Sequence, residues 1–282
     1  MHLDNTEACA FEIKVLSLAS ADDRRARVRE MMDRGGVGAW SFFDAVAADR
    51  VPVRYDELQT FKKYGSVMSP AEISCAASHM TIIADFIARD DLDYIVVLED
   101  DVLLDPATDL GAIVRVVDLL NIGYFKLYAR YFVPAKHLAT FARSSLYRFT
   151  WPPCGNQGYV LSKAAARTLM ASFMRRSSLE LPIDQLMDRY WETGIPIYTL
   201  YPFPLLELNV PTTIHNPAQR GPLDQRNREL AIALRRSWPD RKVSAIAEKL
   251  RRRGFDLSLR NADRAMAAAG RTHRTEIIRL VN

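Results

Sequence analysis

The sequence is poor in cysteine, and the three present, Cys9, Cys75 and Cys154, are far apart and odd in number. With no Cys-x-x-Cys and no paired Cys/His spacing, neither a disulfide framework nor a zinc module is expected, and the thiols read as reduced and mostly buried. No apolar run approaches the roughly 18 residues that a bilayer-spanning helix needs. The segment from Met1 to Phe11 carries Asp4 and Glu7 where a secretion signal would be basic and then apolar, so a cytoplasmic protein is expected. Internal repeats and low-complexity tracts are absent, which excludes a solenoid. Net charge is also small, +4, although unevenly spread. What remains is an ordinary globular composition. Its 282 residues, 49% hydrophobic and 26% charged, suffice for one large domain or a domain with an appendage.

Strand and helix signals alternate in the first half. Ile13 to Leu18 reads as a strand, Asp22-Asp23 and then Arg24 to Arg34 as a helix stopped by Gly35-Gly36, and Trp40 to Val46 as a second strand. That is the βαβ rhythm of a parallel sheet. Ser69-Pro70-Ala71-Glu72 is a capping box opening a helix to about Arg89, with Ile73, Ala76, Ala77, Met80, Ile83, Ala84 and Ile87 on its buried stripe. Ser78 and His79 are not explained by capping or periodicity, though a lone histidine is often structural.

Tyr94-Ile95-Val96-Val97-Leu98 then runs straight into Glu99-Asp100-Asp101. A short apolar, β-branched run fits a strand covered on both faces, and in open α/β sheets ligands bind beyond the carboxyl ends of strands. Three adjacent acids repel one another, and a hard divalent cation such as Mg²⁺ or Mn²⁺ is the simplest way to hold them together. An Asp pair that merely ends a strand fits the same residues.

Asp105 to Leu120 offers another amphipathic helix, Tyr124 to Tyr128 a strand, and Leu146 to Trp151 a half-exposed strand. In the turn that follows, Asn156 and Gln157, between Gly155 and Gly158, can hydrogen-bond sugar hydroxyls or simply form the turn into Tyr159-Val160-Leu161. Ser162 caps a helix from Lys163 to about Phe173. Pro182-Ile183-Asp184 starts another, with Asp184 where the helix dipole stabilises an ionised carboxylate. From Pro202 to Pro222 the chain is too broken by proline for regular structure to be expected, and it contains His215, Asn216 and Arg220. Beyond Leu223 the segments are Arg-rich and helical in type, fit either to lie on an anionic membrane surface or to pack on the main domain with solvated basic faces.

In order and spacing, these stations resemble glycosyltransferase family 25, the lipooligosaccharide and collagen galactosyltransferase-like proteins. The resemblance spans about Ile13 to Ile214. It is carried by Val15-Leu16-Ser17-Leu18 with Asp22-Asp23-Arg24-Arg25, by Phe42 to Val46, by Glu72 to His79, by Leu98-Glu99-Asp100-Asp101-Val102, by Phe125-Lys126-Leu127, by Gly158 to Ser162 with Ala165-Ala166, and by Leu181-Pro182-Ile183-Asp184. The family usually has Asn where Ser17 stands and Gly where Ala71 and Ser74 stand.

The resemblance implies an α/β protein of GT-A type, with a Rossmann-like, mostly parallel sheet flanked by helices over residues 1–222; the basic helical C-terminal appendage over 223–282 lies outside the family pattern. It implies an inverting transferase that moves a hexose, galactose by family default, from a UDP-sugar to a hydroxyl of a cell-surface glycan or glycolipid such as lipopolysaccharide. A Mn²⁺ or Mg²⁺ ion would be held by Asp101 with Asp100 or Glu99, and His215 would complete the site. Asp184 would be the base that deprotonates the acceptor. Ser17, Leu18, Arg24, Ser78, His79 and Lys126 would meet the donor, and Asn156, Gln157, Gly158 and Tyr159 would shape the sugar or acceptor pocket. Nucleic acid is not an expected partner. A metal-dependent phosphoester hydrolase and a non-catalytic basic binding module are the alternatives.

Overall fold

The computed structural model of the chain describes residues 9–35, 38–131, 133–141, 143–208, 217–234 and 238–270. In its first half, β1 (Phe11–Ser17), α1 (Asp22–Arg34), β2 (Trp40–Asp44), α2 (Glu57–Tyr64), α3 (Pro70–Ala88), β3 (Tyr94–Glu99), β4 (Val102–Leu104), α4 (Leu110–Leu119) and β5 (Tyr124–Lys126) follow in turn. The second half contains β6 (Ala135–Phe141), β7 (Ser144–Phe149), β8 (Gly158–Ser162), α5 (Lys163–Met174), α6 (Ile183–Met187), α7 (Tyr190–Thr193), β9 (Ile197–Tyr201), β10 (Leu205–Glu207), α8 (Pro217–Ala233) and α9 (Trp238–Ala268).

The main sheet has the order β2-β1-β3-β8-β5-β9-β7-β6. Strands β2, β1, β3, β5, β9 and β6 run one way, and β8 and β7 run the other. The expected α/β fold is therefore present, with a mostly parallel but mixed sheet. Strand β3 lies inside it and is buried on both faces. Ile95 and Val97 enter the core against α3 and α5, whereas Tyr94, Val96 and Leu98 enter the core against α1 and α4. This two-sided burial is why β3 is continuously apolar instead of alternating. Each such side chain contributes about 1.5–3 kcal/mol, which makes β3 a rigid support for the acids at its end.

Helix α3 forms as its sequence dictates. Ser69 caps it, and both bonds of the capping box are made, with Pro70 in the first turn. Among the described helices it is long and apolar enough to cross a membrane, but much of it is core, with Ala76, Ala77, Met80, Ile83 and Phe86 fully buried.

The region after Pro202 departs from expectation. Strand β10 forms there and pairs antiparallel with β4, Glu207 opposite Val102, and the amide of Leu208 donates to the carbonyl of Asp101 at 2.7 Å. A three-residue strand carries too little pattern to be read from sequence, and its partner is remote. Helix α8 begins at Pro217 and runs through Pro222, so the boundary expected at 222 falls inside a helix.

Both C-terminal helices pack on the main body. Asn227 of α8 accepts from the Val67 amide at 2.8 Å and donates to Ser66 at 3.0 Å, while Leu230 packs against Phe61 and Val67. On α9, Asp263 receives both ends of the Arg148 guanidinium at 3.0 and 2.7 Å, Glu248 pairs with Arg189 at 2.8 Å, and the Arg252 guanidinium lies 3.6 Å from the Trp151 ring centre.

Candidate active site

The chain turns sharply after β3, and Glu99, Asp100 and Asp101 stand at the carboxyl edge of the sheet, where two lobes of a cleft meet. One lobe, of about 360 Å³, is bounded by Ser17, Leu18 and Arg24 from the end of β1 and the start of α1, by Ala45 and Ala48, and by Pro70, Ala71, Ser74 and Ser78 of α3. The other, of about 310 Å³, is bounded by Arg130, Asn156, Gln157, Asp184 and Glu207, with Tyr64 and Tyr131 at its walls. Glu99, Asp101 and Cys75 line both.

The three acids differ in their surroundings. Asp100 is held on both oxygens, by the Ser17 hydroxyl at 2.7 Å and by Arg24 at 2.8 Å. Glu99 faces His79 Nε2 at 3.3 Å, and His79 Nδ1 in turn meets the Tyr159 hydroxyl at 2.9 Å. Asp101 has a buried oxygen, Oδ1, with no hydrogen-bond partner. Burial, with the negative charges of Glu99 and Asp100, pushes its carboxyl from 3.8 up to about 7. An ionised Asp101 therefore needs a cation, and its orphaned carboxylate oxygen, in a cleft that Glu99 also lines, is a hard donor of the kind that Mg²⁺ or Mn²⁺ takes.

Cys75, His79 and Glu99 also bring one donor atom each within 4.8 Å of one another, an arrangement not expected from the cysteine spacing. It was legible only as Cys75 and His79 one helical turn apart. Both ring nitrogens of His79 are committed, to Tyr159 and Glu99, and burial raises the Cys75 thiol well above its usual value. His79 thus acts as a prop that orients Glu99.

The 310 Å³ lobe is shaped by the turn before β8. Cys154 and Gly155 both have positive φ, 55° and 79°, a conformation costly for cysteine and therefore imposed by the surroundings. A buried network holds it. Asp188 accepts from the Cys154 amide at 2.7 Å, Lys126 donates to the Gly155 carbonyl at 2.7 Å and to Asp188 at 2.9 Å, and Asp184 Oδ2 accepts from the Gly155 amide at 3.0 Å. Asn156 Oδ1 and Gln157 Oε1 are buried without hydrogen-bond partners. Acceptors in that condition suit hydroxyl donors.

The structure thus brings Ser17, Leu18, Arg24 and Ser78 to one lobe, Asn156, Gln157 and Asp184 to the other, and Glu99 and Asp101 between them. Other expected positions differ. Lys126 is fully buried in its ion pair with Asp188 and does not reach a donor. His79 and Tyr159 lie beneath the cleft with no exposed surface. Gly158 is small because Leu205 presses on it, a Cβ there falling 2.0 Å from Leu205 Cδ1. The Ser78 hydroxyl is bonded to Val46 and Ser74, both at 2.8 Å. Asp100, bound on both oxygens, is a support for its neighbours more than a ligand. His215 lies outside the described residues. Sequence reasoning missed Arg130, Asp188 and Glu207. Arg130 could have been found as a cation just beyond the carboxyl end of β5, whereas Asp188 and Glu207 gave no local signal.

The family model for glycosyltransferase family 25 (LPS biosynthesis protein) matches residues 11–187, from β1 to the end of α6. The chain belongs to glycosyltransferase family 25. The matched span contains the acids of β3, the Cys154–Gln157 turn and Asp184, and it favours sugar transfer over the hydrolase and binding-module readings. Among curated proteins, the chain is 26% identical over 208 residues to the lacto-N-neotetraose biosynthesis glycosyltransferase LgtE of Neisseria gonorrhoeae, covering 67% of this chain and 71% of that one. It is 27% identical over 210 residues to LgtB of Neisseria meningitidis serogroup B, covering 67% and 72%. Among solved structures, a Drosophila β1,4-galactosyltransferase 7 variant in complex with manganese, UDP-Gal and xylobiose matches with 12% identity and a TM-score of 0.32, over 75% of this chain and 73% of that one.

Proposed function

We propose that this family 25 enzyme transfers a hexose, galactose in the first instance, from a UDP-sugar to a hydroxyl of a cell-surface glycan or glycolipid such as lipopolysaccharide, with inversion and dependence on a divalent ion. The orphaned, buried oxygen of Asp101 at the junction of two lobes carries this reading. Asp101 and Glu99 would hold the ion, which supplies positive charge where the departing diphosphate gains negative charge.

The remaining work falls to the chain itself. The lobe beside Ser17 and Arg24 takes the nucleotide, its walls at Ala45, Ala48, Pro70 and Ala71 small enough to admit a flat base. Asn156 and Gln157 accept hydroxyls of the transferred sugar and so orient its anomeric carbon. Asp184, on the wall of the other lobe, takes the proton from the attacking acceptor hydroxyl at a carboxylate oxygen. Its orientation is fixed by the amides of Gly155 and Gln185 at 3.0 and 2.8 Å. A base in one lobe and a leaving group in the other is the arrangement that inversion requires. A donor screen tests this. UDP release in the presence of Mn²⁺ and a glycan acceptor is expected to be fastest with UDP-galactose and to stop with chelator, whereas metal-independent release, or none from any UDP-hexose, contradicts the reading.

The outward face of α9 supports work at an anionic membrane surface, the cytoplasmic one. Ile246, Leu250 and Leu257 are 59, 61 and 57% exposed and share that face with Lys249, Arg253, Arg260 and Arg264, whereas Glu248, Asp256 and Asp263 face the body. Sedimentation with phosphatidylglycerol-containing vesicles, but not with phosphatidylcholine alone, is the expected result. Equal recovery with both contradicts it.

A further inference from the structure

Beside the 310 Å³ lobe lies a second concavity, of about 520 Å³, on the antiparallel edge of the sheet. Residues at alternate positions share one face of a strand, which places Tyr147 and Phe149 of β7 beside Thr199 and Tyr201 of β9. Phe203 closes one side, its ring 5.7 Å from that of Tyr201. The lining is dominated by aromatic rings, and Tyr131 and Tyr201 are 57 and 48% exposed.

Two connections join this groove to the catalytic cleft. Tyr131 lines both. Phe203 lies 6.3 Å from the Tyr128 ring, and the Tyr128 hydroxyl donates at 2.7 Å to Glu207, which lines the cleft. The groove therefore begins on the lobe that contains Asp184 and not on the lobe that contains Ser17 and Arg24. An acceptor whose terminal hydroxyl reaches Asp184 has its preceding units directed here.

We propose that this aromatic groove is an acceptor subsite that binds the saccharide units preceding the one that receives the hexose. The proposal rests on reading the cleft as a glycosyltransferase site. Sugar rings present apolar C–H faces that lie on aromatic rings, and their edges carry hydroxyls for which tyrosine hydroxyls at a groove rim are suitable partners. Rigid aromatic walls also cost little conformational entropy on binding. The groove thus gives the enzyme a means of preferring a longer oligosaccharide acceptor to a single sugar, with no part in the bond-making step.

The test uses the full chain with two acceptors, a monosaccharide glycoside and an oligosaccharide ending in the same sugar, and the variants Tyr201→Ser and Tyr147→Ser, neither of which lines the catalytic lobe. Each variant is expected to raise KM for the oligosaccharide about two- to tenfold, with kcat and the donor KM unchanged and the monosaccharide unaffected. Unaltered thermal unfolding shows that the sheet edge is intact, and Phe203→Leu provides a third variant, outside the sheet. Unchanged KM for the oligosaccharide overturns the proposal, as does a change confined to a monosaccharide bearing an alkyl tail, which would make the groove a lipid site. Absence of transfer to any acceptor by the unsubstituted enzyme would instead remove the glycosyltransferase reading itself.

Discussion

Arg24 donates to Asp100 Oδ1 at 2.8 Å, and the pair lies with both side chains largely buried, 16 and 8% exposed. With the Ser17 hydroxyl on the other oxygen, this contact ties the start of α1 and the end of β1 to the tip of β3. It explains why adjacent aspartates have different tasks. Asp100 is consumed in holding the tip, which leaves Asp101 as the acid with an open oxygen.

Arg24→Ala is therefore expected to act on the donor through Asp100. A hydrogen bond to a charged group is worth about 1.5–3 kcal/mol, so kcat/KM for the UDP-sugar should fall roughly tenfold to a hundredfold. Asp100→Asn should weaken the effect of Arg24→Ala in a double-mutant cycle. Additive losses would show that the two residues do not act as a unit.

Asp101 sets a pH dependence on the metal-free protein. Its carboxyl titrates at about 7 in the folded chain against an ordinary 3.8, so the folded state binds the extra proton between those values. Stability in chelator should then decline as pH rises from 3.8 through about 7, by on the order of a few kcal/mol, and level off above. Asp101→Asn should remove this slope and be the more stable protein above the Asp101 titration. Added Mn²⁺ should reverse the trend, because an ion binds the ionised carboxylate. Urea unfolding across this pH range reads each effect, and an unchanged slope in the variant would contradict the assignment.

Lys126 and Asp188 are both fully buried and bonded at 2.9 Å. Lys126→Met leaves a buried carboxylate without its cation and should cost about 3–5 kcal/mol in urea unfolding. A cost below about 1 kcal/mol would show that Asp188 is neutralised otherwise.

Asp184→Asn keeps an oxygen able to accept the Gly155 amide but loses the basic site. Turnover should fall roughly a hundredfold to ten-thousandfold, the range that general-base catalysis contributes, with the donor KM unchanged. Loss of donor binding instead would place Asp184 at the nucleotide.

What the sequence revealed follows physical range. The capping box at Ser69 and the apolar run of β3 are local, and both appeared where expected. The acids at the strand end were legible because strand chemistry predicts where ligands bind. The division of roles among them was not, since it depends on Ser17 and Arg24, more than 70 residues earlier. Gly158 was expected beside a ligand, yet its size is set by Leu205, a contact that no local pattern announces. Lys126 was expected at the donor because of the family resemblance, and the remote Asp188 and Gly155 carbonyl that make its burial tolerable gave no local signal. β9, Ile197-Tyr198-Thr199-Leu200-Tyr201, is rich enough in β-branched and aromatic residues to have been read as a strand.

The most direct test of the central claim is UDP release by Asp101→Ala with UDP-galactose, acceptor and Mn²⁺, alongside calorimetric titration of Mn²⁺ and UDP. Loss of turnover by roughly a hundredfold or more, together with loss of UDP-dependent Mn²⁺ binding in a protein that still unfolds cooperatively, is the predicted result. Full turnover with unaltered Mn²⁺ dependence would contradict the account.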